Sequence, residues 1–277
     1  MIGGVSMFAT DFAYDNHWLS DFGCTICTFG DSNGITTISA GSQITFNMIS
    51  RNRGKQRFLI GSQYDSCIQT TFDICKKTED YNAYNIDRYF SMQEVRELIL
   101  WLNREEFHKF RPMGLDEVIY YNASFNVERI EIDNKVIGLR LTMFTDSPYA
   151  YGNDITSKYE VTRTQLTKEH NAYCSTDYYG DIIPNVKITC AASGDISIAN
   201  KTNGITMTIM GCTKGEIITI NGDRMTLASS TGRNLYNSFN YEFLKITNTP
   251  DVRINKLTIS LPSTVEITYT PIVKYGA

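Results

Sequence analysis

The chain has 277 residues, 42% of them hydrophobic, which is enough to bury a core in one large or two ordinary domains and excludes a disordered chain. Its formal net charge of -4 excludes the broad basic field that wrapping nucleic acid or binding acidic lipid requires. We therefore expect no sequence-specific nucleic-acid binding. The first residues lack the basic and apolar regions of a signal peptide, and no apolar run is long enough to span a bilayer, so we expect cytoplasmic assembly without membrane insertion.

Cys24 and Cys27 form a C-x-x-C motif near the N-terminus. A redox motif of this kind opens a helix, whereas a turn at 30–34 follows here within three residues. A structural zinc site requires a second pair with matching spacing, which Cys67 and Cys75 do not provide. We predict that the Cys24 and Cys27 thiols pack on a short strand, and that the chain holds no metal and no cofactor. Seven cysteines, an odd number, also argue against a disulfide framework.

A long hairpin is predicted between about Ser42 and Ile60. Apolar residues alternate with polar ones on both sides of a turn at 51–54: Ile44, Phe46, Met48, Phe58 and Ile60. The tip carries the one dense basic cluster of the sequence: Arg51, Arg53, Lys55 and Arg57. A solvated turn is one interpretation of this cluster, and an electrostatic contact with an acidic partner surface is the other. A further strand is predicted from Gln69 to Ile74.

One helix is predicted, from Ser91 to about Phe107. Ser91 and Glu94 have the S-x-x-E spacing of a capping box, in which each side chain bonds the other residue's backbone N–H. An apolar stripe follows at spacings of three and four: Met92, Val95, Leu98, Ile99 and Leu102, widened by Leu100 and Trp101. Such a stripe is typical of a helix that covers a sheet, and a partner-binding surface is the alternative.

Strands continue after the helix and end in an aromatic turn. Alternation predicts strands over 118–132 and from Ile137 to Met143, joined by a turn at Asp133-Asn134. The sequence DSPYAYG at 146–152 follows directly. Its proline has no N–H to donate and therefore disfavours continued strand pairing. We predict a domain hinge here, formed by Pro148, Tyr149, Tyr151 and Gly152, with the two tyrosines packed on the first domain.

The second half of the sequence predicts only strands. Short alternating runs recur at the spacing of a β-sandwich or barrel, around residues 186–190, 196–198, 205–209, 218–220, 257–261 and 265–269. Asn203-Gly204 and Asn221-Gly222 predict hairpin turns in which both residues take positive φ. The sequence therefore divides into a domain at 1–150 and an all-β domain at 151–277.

The sequence carries few signs of catalysis. His17, His108 and His170 lie at no metal-ligand spacing, and the common nucleophile, zinc-protease and phosphate-loop motifs are missing from the sequence. The acidic pairs Glu105-Glu106 and Asp116-Glu117 are the candidates for a cell-wall hydrolase, but solvated surface charge explains them more simply. A catalytic site whose residues come together only in the folded chain is the remaining alternative. We predict that the protein is not an enzyme.

Several segments, in this order, resemble distal tail (Dit) proteins, the baseplate hub components of long-tailed, non-contractile bacteriophages. SMQEVRELILWLN, GLDEVIYYNASFNVERIE and VIGLRLTMFTDSPYAYG resemble their N-terminal domain. IIPNVKITCAASGDISIANKTNGITMTI, GEIITINGDR, NLYNSFNYEFLKI and VEITYTPIVKYG are similar to their C-terminal domain. Together the segments span about Ser91 to Gly276, and GVSMFATDF near the start shows a weaker similarity.

This resemblance implies a structural virion protein at the tail tip, assembled in the bacterial host cytoplasm. Proteins of this family form homohexameric rings in which tail-tube-like N-terminal domains, β-barrels or sandwiches with one helix, close around a channel. Galectin-like β-sandwiches project outward as C-terminal domains. Such rings join the tail tube to the tail-tip hub or tail-associated lysin, and often carry receptor-binding proteins for host attachment. We interpret the hairpin at 42–60 as the element that meets a neighbouring subunit, since exposed strands recruit partners.

A carbohydrate-binding adhesin module that contacts the host cell wall is the alternative function. It is suggested by the implied galectin-like fold and by the tyrosine-rich stretch from Tyr173 to Tyr179. Both tryptophans, Trp18 and Trp101, lie in the first half, which leaves tyrosine as the aromatic platform of the sandwich.

Overall fold

A computed structural model describes residues 10–29, 44–50, 57–64, 67–77, 88–116, 118–166 and 168–274. The described chain divides into two compact units after Tyr151. Residues up to Tyr151, with Lys274, form the first unit, and Gly152–Val273 form the second. The predicted fold class is confirmed: strands dominate both units, and the described residues contain one α-helix.

The first unit is built on an antiparallel sheet of seven strands. Its elements are β1 (Phe12–Tyr14), β2 (His17–Trp18), β3 (Cys24–Cys27), β4 (Ile44–Ser50), β5 (Arg57–Tyr64), β6 (Gln69–Lys76), α1 (Met92–Leu102), β7 (His108–Pro112), β8 (Tyr121–Ile132), β9 (Lys135–Thr145) and β10 (Ala150–Tyr151). The strand order in the sheet is β2-β1-β7-β8-β9-β6-β3. Ile26 on β3 donates its N–H to the carbonyl of Thr10, just before β1, at 3.0 Å. The two ends of the sheet therefore approach each other, as in a barrel.

Helix α1 covers this sheet through an aromatic cluster. The Trp101 ring stacks on Phe12 at a centroid distance of 5.7 Å and on Phe22 at 4.4 Å. Its indole N–H donates to the carbonyl of Tyr14 at 3.0 Å, so the polar atom of the buried ring is satisfied. Phe125 on β8 adds an edge contact to Tyr14 at 5.1 Å. The interpretation of the helix as a sheet cover is confirmed.

The ends and the buried face of α1 differ in part from the prediction. The capping box at Ser91 is present, but the helix ends at Leu102, because Asn103 leaves helical geometry and its side chain donates to the Phe125 carbonyl at 2.7 Å. The buried face consists of Val95, Leu98, Trp101 and Leu102. Met92, Ile99 and Leu100 are 65%, 37% and 62% exposed, so placing them on the buried stripe was wrong.

The second unit is a two-layer β-sandwich. Its strands are β11 (Ile155–Val161), β12 (His170–Tyr173), β13 (Gly180–Ile182), β14 (Asn185–Cys190), β15 (Gly194–Asn200), β16 (Ile205–Cys212), β17 (Ile217–Asn221), β18 (Thr226–Ser229), β19 (Ile246–Asn248), β20 (Ile254–Ile259), β21 (Ser263–Tyr269) and β22 (Ile272–Val273). One sheet has the order β11-β21-β14-β17-β18, the other β12-β20-β15-β16, and β13 pairs with β19. Inward side chains of both sheets, such as Ile188 and Ile198, share one core.

The predicted hairpins of the sandwich form, but with longer turns than expected. Asn200 pairs with Ile205, and Asn221 pairs with Thr226, so each connection has four residues rather than two. In the first turn Gly204 takes positive φ at 76°, and in the second it is Met225 at 51°. Two-residue turns with both residues at positive φ are found instead at Asp15-Asn16, between β1 and β2, and at Asp133-Asn134, between β8 and β9.

Candidate assembly surface

The hairpin of β4 and β5 forms a two-stranded sheet of its own, separate from the seven-stranded sheet. Its strands pair from Ile44 opposite Tyr64 to Ser50 opposite Arg57. The side chains of seven large apolar residues are between 44% and 63% exposed: Ile44, Phe46, Met48, Ile49, Phe58, Leu59 and Ile60. The two predicted strands are confirmed. An exposed apolar set of this size marks a surface that contacts another protein or segment.

A register shift in β5 decides which of these side chains share a face. Asn47 pairs with Gly61 and Met48 with Leu59, so β5 has one residue more than β4 at this point, Ile60. Because directly opposed residues of antiparallel strands share a face, Leu59 joins the face of Met48 and Phe46, whereas Ile49 and Phe58 lie on the opposite face. The first face, which we name the hairpin surface, carries four exposed apolar side chains: Ile44, Phe46, Met48 and Leu59. Sequence alternation alone could not place Leu59 there, since the bulge has no sequence signal.

The exposed hairpin surface is energetically unfavourable for an isolated chain. A lone two-stranded hairpin is at best marginally stable in water, because each strand has one paired edge and no covering layer. The base of the hairpin is held by Tyr64, whose ring makes an edge contact with Tyr149 at 5.0 Å. The face beyond this base is therefore a surface that another protein segment could bury.

The predicted basic cluster lies mostly outside the described residues. Arg51, Arg53 and Lys55 fall in the part of the chain that the structure does not describe. Arg57 is described, lies exposed at the start of β5, and pairs with Ser50. The choice between a solvated turn and a partner contact stays a prediction.

The predicted hinge residues are placed in the segment that ends the first unit. Tyr151 packs against Tyr120 at a centroid distance of 5.9 Å, and its hydroxyl donates to Asp146 at 3.3 Å. Its backbone N–H donates to the carbonyl of Tyr120 at 2.7 Å. Gly152 belongs to the second unit, where its N–H donates to the carbonyl of Pro271 at 2.8 Å. Both tyrosines thus contact residues of the first unit, and their role as a hinge stays a prediction.

The cysteines Cys24 and Cys27 lie on the predicted short strand, β3. Cys24 is buried, and Cys27 is half-buried beside Cys75 of β6. The hydrogen bond from the Cys27 thiol lowers the pKa of Cys75 to about 7, against the opposing effect of burial. All seven cysteines lie within the described residues and are free thiols.

Other features predicted from the sequence form no cluster with evident chemistry. Glu105 and Glu106 are exposed between α1 and β7, and Asp116 is exposed in the next connection. Across the described ranges, no group of three or more His, Cys, Asp or Glu side chains could hold a metal ion. No helix in the described part of the chain is long and apolar enough to cross a membrane.

Comparison with known proteins identifies the class of protein. The family model described as the phage tail protein N-terminal domain matches residues 7–147, and the one described as the phage tail C-terminal domain matches residues 149–269. The chain therefore belongs to this family of phage tail proteins, and as such it is a component of the virion tail. No curated protein sequence matches the chain.

The fold is similar to that of a particular tail protein, Dit (gp 19.1) of phage SPP1. Its crystal structure is described as a paradigm of the hub adsorption apparatus in phages that infect Gram-positive bacteria. The TM-score is 0.65 at 10% identity, and the similarity covers 95% of this chain and 99% of SPP1 Dit. The resemblance to distal tail proteins is thereby confirmed in family and in fold across both halves of the chain.

Proposed function

We propose that this chain forms a homohexameric ring at the distal end of a phage tail. The observation that carries the proposal is the hairpin surface, four exposed apolar side chains on one face of a hairpin that forms a sheet of its own. The similarity to a tail hub protein over the whole chain supports it. Ring closure uses a heterologous interface, so one patch of each subunit must fit a different patch of the next. The hairpin surface supplies the first of these patches.

The free energy gained by burying the hairpin surface favours a closed ring over a dimer. Fully burying one such side chain contributes about 1.5 to 3 kcal/mol, and these are already about half buried, so four contribute on the order of 4 kcal/mol per interface. Association costs about 4 to 15 kcal/mol in lost translational and rotational freedom. One interface therefore barely offsets its own cost. The last subunit of a ring forms two interfaces for one association, which makes closure cooperative.

The mass of the purified protein in solution tests the ring. We expect a species of six times the chain mass of 31.4 kDa by light scattering, and six-fold rings by electron microscopy. Replacing Phe46→Glu together with Leu59→Glu places two charges on the hairpin surface, and burying them would cost several kcal/mol per interface. We expect this variant to be monomeric.

Gln63→Glu is the matched control, because it adds a charge to β5 on the face opposite the hairpin surface. This control should keep the mass of the wild type. A wild-type protein that stays monomeric at high concentration would rule out the ring. A hexamer that survives the Phe46 and Leu59 substitutions would show that another surface closes it.

We further propose that the two domains have the separate roles that the family resemblance implies. Residues 1–150 form the tail-tube-like ring domain, and residues 151–277 form a galectin-like sandwich that projects outward. The ring joins the tail tube protein to the tail-tip hub or tail-associated lysin, and the sandwich offers a site for a receptor-binding protein. No step in this role requires catalysis or a cofactor. Assembly takes place in the host cytoplasm, and the finished ring lies at the tail tip.

The basic cluster at the hairpin tip is our candidate for contact with an acidic face of a tail partner. Arg57, the described member, is exposed and free to meet such a face from the end of the hairpin. Reversing the charge of Arg53 and Arg57 should weaken binding to the tail tube or hub protein, and more so at low salt, because exposed pairs are screened. Unchanged binding at all salt concentrations would leave the solvated-turn interpretation in place.

A further inference from the structure

Two free thiols lie side by side at one end of the seven-stranded sheet. Cys27 ends β3, and Cys75 lies on the neighbouring strand β6. In the register of these strands Thr25 is opposite Cys75, and Asp73 is opposite Cys27. Residues two apart on a strand share a face, and so do directly opposed residues. The Cys27 and Cys75 side chains therefore lie on the same face, at diagonal positions of adjacent strands.

The packing just after β3 shows the direction in which the side chains of this face lean. Phe29 lies two residues after Cys27, and its ring occupies the space where a Cβ atom at Gly138 of β9 would lie. The same space borders the carbonyl of Ile74, the residue before Cys75. A ring that starts two residues beyond Cys27 thus reaches across β6 to the level of Cys75. The Cys27 side chain leans the same way, and its thiol donates a hydrogen bond to the Cys75 sulfur.

Of these two thiols, Cys75 is the more reactive. Both are half-buried, so a small reagent can reach them. The hydrogen bond from Cys27 lowers the pKa of Cys75 to about 7 in spite of burial, and the same bond together with burial raises the pKa of Cys27. About half of the Cys75 side chains are therefore thiolates at neutral pH, and the thiolate is the form that attacks disulfides. A thiol whose pKa is close to the ambient pH reacts fastest in this exchange.

We propose that Cys75 and Cys27 form a modification site for small-molecule disulfides, and that the reaction ends in a disulfide bond between β6 and β3. The Cys75 thiolate attacks one sulfur of a reagent such as glutathione disulfide, a mixed disulfide forms, and one glutathione thiolate leaves and takes up a proton. Cys27 then gives its proton to solvent and attacks the Cys75 sulfur, which releases the second glutathione. The two cysteines lose two electrons in total, and the reagent gains them.

The position of Cys27 favours the second step. Because its sulfur already contacts Cys75, internal attack on the mixed disulfide has a high effective concentration and outcompetes free glutathione. The resulting bond would tie β3 covalently to β6, to which β3 is paired over four residues. A reducing cytoplasm keeps such thiols free, whereas oxidising surroundings outside a cell favour the bond. This site goes beyond the ring-forming role and does not depend on it.

Reaction of the folded protein with glutathione disulfide, followed by mass spectrometry, tests the site. The chain is first reduced and freed of reductant, then incubated with the reagent near neutral pH, and its remaining thiols are alkylated before peptide mapping. We expect most wild-type chains to contain a bond between Cys27 and Cys75, with a loss of about 2 Da for the linked pair of peptides. Cys27→Ser should stop at the mixed disulfide, with one glutathione retained on Cys75.

Cys67→Ser is the matched control, because Cys67 is an exposed thiol just before β6. This variant should form the bond between Cys27 and Cys75 at the wild-type rate. A wild-type chain that retains glutathione on Cys75 would overturn the proposal, since the two sulfurs would then not meet in the folded protein. So would a Cys75 that stays unreacted while Cys67 takes up glutathione, or a bond that forms only after unfolding in urea.

Discussion

At the scale of single residues, the sandwich contains one fully buried carboxylate. Glu216 lies between strands β16 and β17 and accepts from the Arg233 guanidinium at 2.7 Å and from the Ser229 hydroxyl at 2.6 Å. The N–H of Thr213 donates to its other oxygen at 2.9 Å. Burial alone would raise the pKa of Glu216, but these hydrogen bonds outweigh it and lower the pKa to about 2. At a pH where half of the Glu216 side chains are protonated in the unfolded chain, nearly all of them are ionised in the folded protein.

This shift predicts a loss of sandwich stability in acid. Because the pKa of Glu216 is lower in the folded state than its ordinary value of about 4.3, its contribution is complete above that value. It should be lost as the pH falls from about 5 towards 2, when the carboxylate takes up a proton. Glu216→Ala leaves Arg233 without its partner, and breaking such a pair costs about 3 to 5 kcal/mol at neutral pH. Calorimetry from pH 7 to pH 3 measures both effects.

Glu160→Gln is the control for this experiment. Glu160 pairs with Lys158 at 3.2 Å, but both side chains are largely exposed, and such pairs contribute at most about 1 kcal/mol. We expect little change in the unfolding temperature of this variant. A Glu216→Ala protein with the same acid sensitivity as the wild type would show that other carboxylates cause the acid transition.

At the scale of elements, the start of α1 is fixed by local bonds of the capping box. The Ser91 hydroxyl accepts from the N–H of Glu94 at 3.2 Å, and the Glu94 carboxylate accepts from the N–H of Ser91 at 2.7 Å. Glu94 also meets Lys76 of β6 at 2.8 Å. The cap therefore joins the helix start to the sheet that the helix covers.

Removing this cap should destabilise the first unit by about 1 kcal/mol. Ser91→Ala deletes the acceptor for a backbone N–H at the helix start, which costs about 0.5 to 2 kcal/mol in other helices. Urea unfolding followed by Trp101 fluorescence measures the change, since Trp101 lies on the same helix. Gln93→Ala, which loses only a surface bond to Glu97 at 3.2 Å, should change the unfolding free energy by no more than about 0.5 kcal/mol. Equal effects of the two changes would contradict the role of the cap.

Sequence patterns predicted the features that depend on residues close together in the chain. The capping box placed the start of α1, and alternation placed the inward residues of the sandwich, such as Val186 and Ile267, which are buried. The end of α1 was missed because it depends on the bond from Asn103 to Phe125, a residue 22 positions away. Partners that distant leave no periodic signal in the sequence.

The hairpin surface was also predictable only in part. Alternation on both sides of the hairpin turn placed β4 and β5. It could not place the bulge at Ile60 of β5, which decides that Leu59 shares a face with Phe46 and Met48. Nor could it show that Asn248 holds the tyrosine-rich stretch of the sandwich, since the two lie about 70 residues apart.

At the scale of the whole molecule, the two units have separate hydrophobic cores. The first is centred on aromatic rings such as Phe12, Trp101 and Phe125, and the second on the aliphatic residues between its two sheets. The chain passes from one unit to the other at the peptide between Tyr151 and Gly152. Because each core is self-contained, we expect two melting transitions rather than one cooperative transition of the whole chain.

The tyrosines before this peptide should limit how freely the units move. Tyr149 packs on Tyr64 and Tyr151 packs on Tyr120, and an aromatic contact of this kind contributes about 0.5 to 1.5 kcal/mol. Tyr149→Ala with Tyr151→Ala should release the residues from about Ser147 onwards and lengthen the free connection. Each unit should keep its melting temperature within a few degrees, because neither ring belongs to the fully buried core.

Solution scattering of the variant and limited proteolysis at 146–152 test this hinge. We expect a broader distribution of interatomic distances and faster cleavage than in the wild type. Tyr149→Phe with Tyr151→Phe is the control: it keeps both ring contacts and removes the bond from Tyr151 to Asp146, which at 3.3 Å is long and exposed. This control should behave as the wild type does. If the alanine variant also scatters and cleaves like the wild type, the aromatic pair does not restrain the connection, and the backbone bonds from Tyr151 to Tyr120 suffice to hold it.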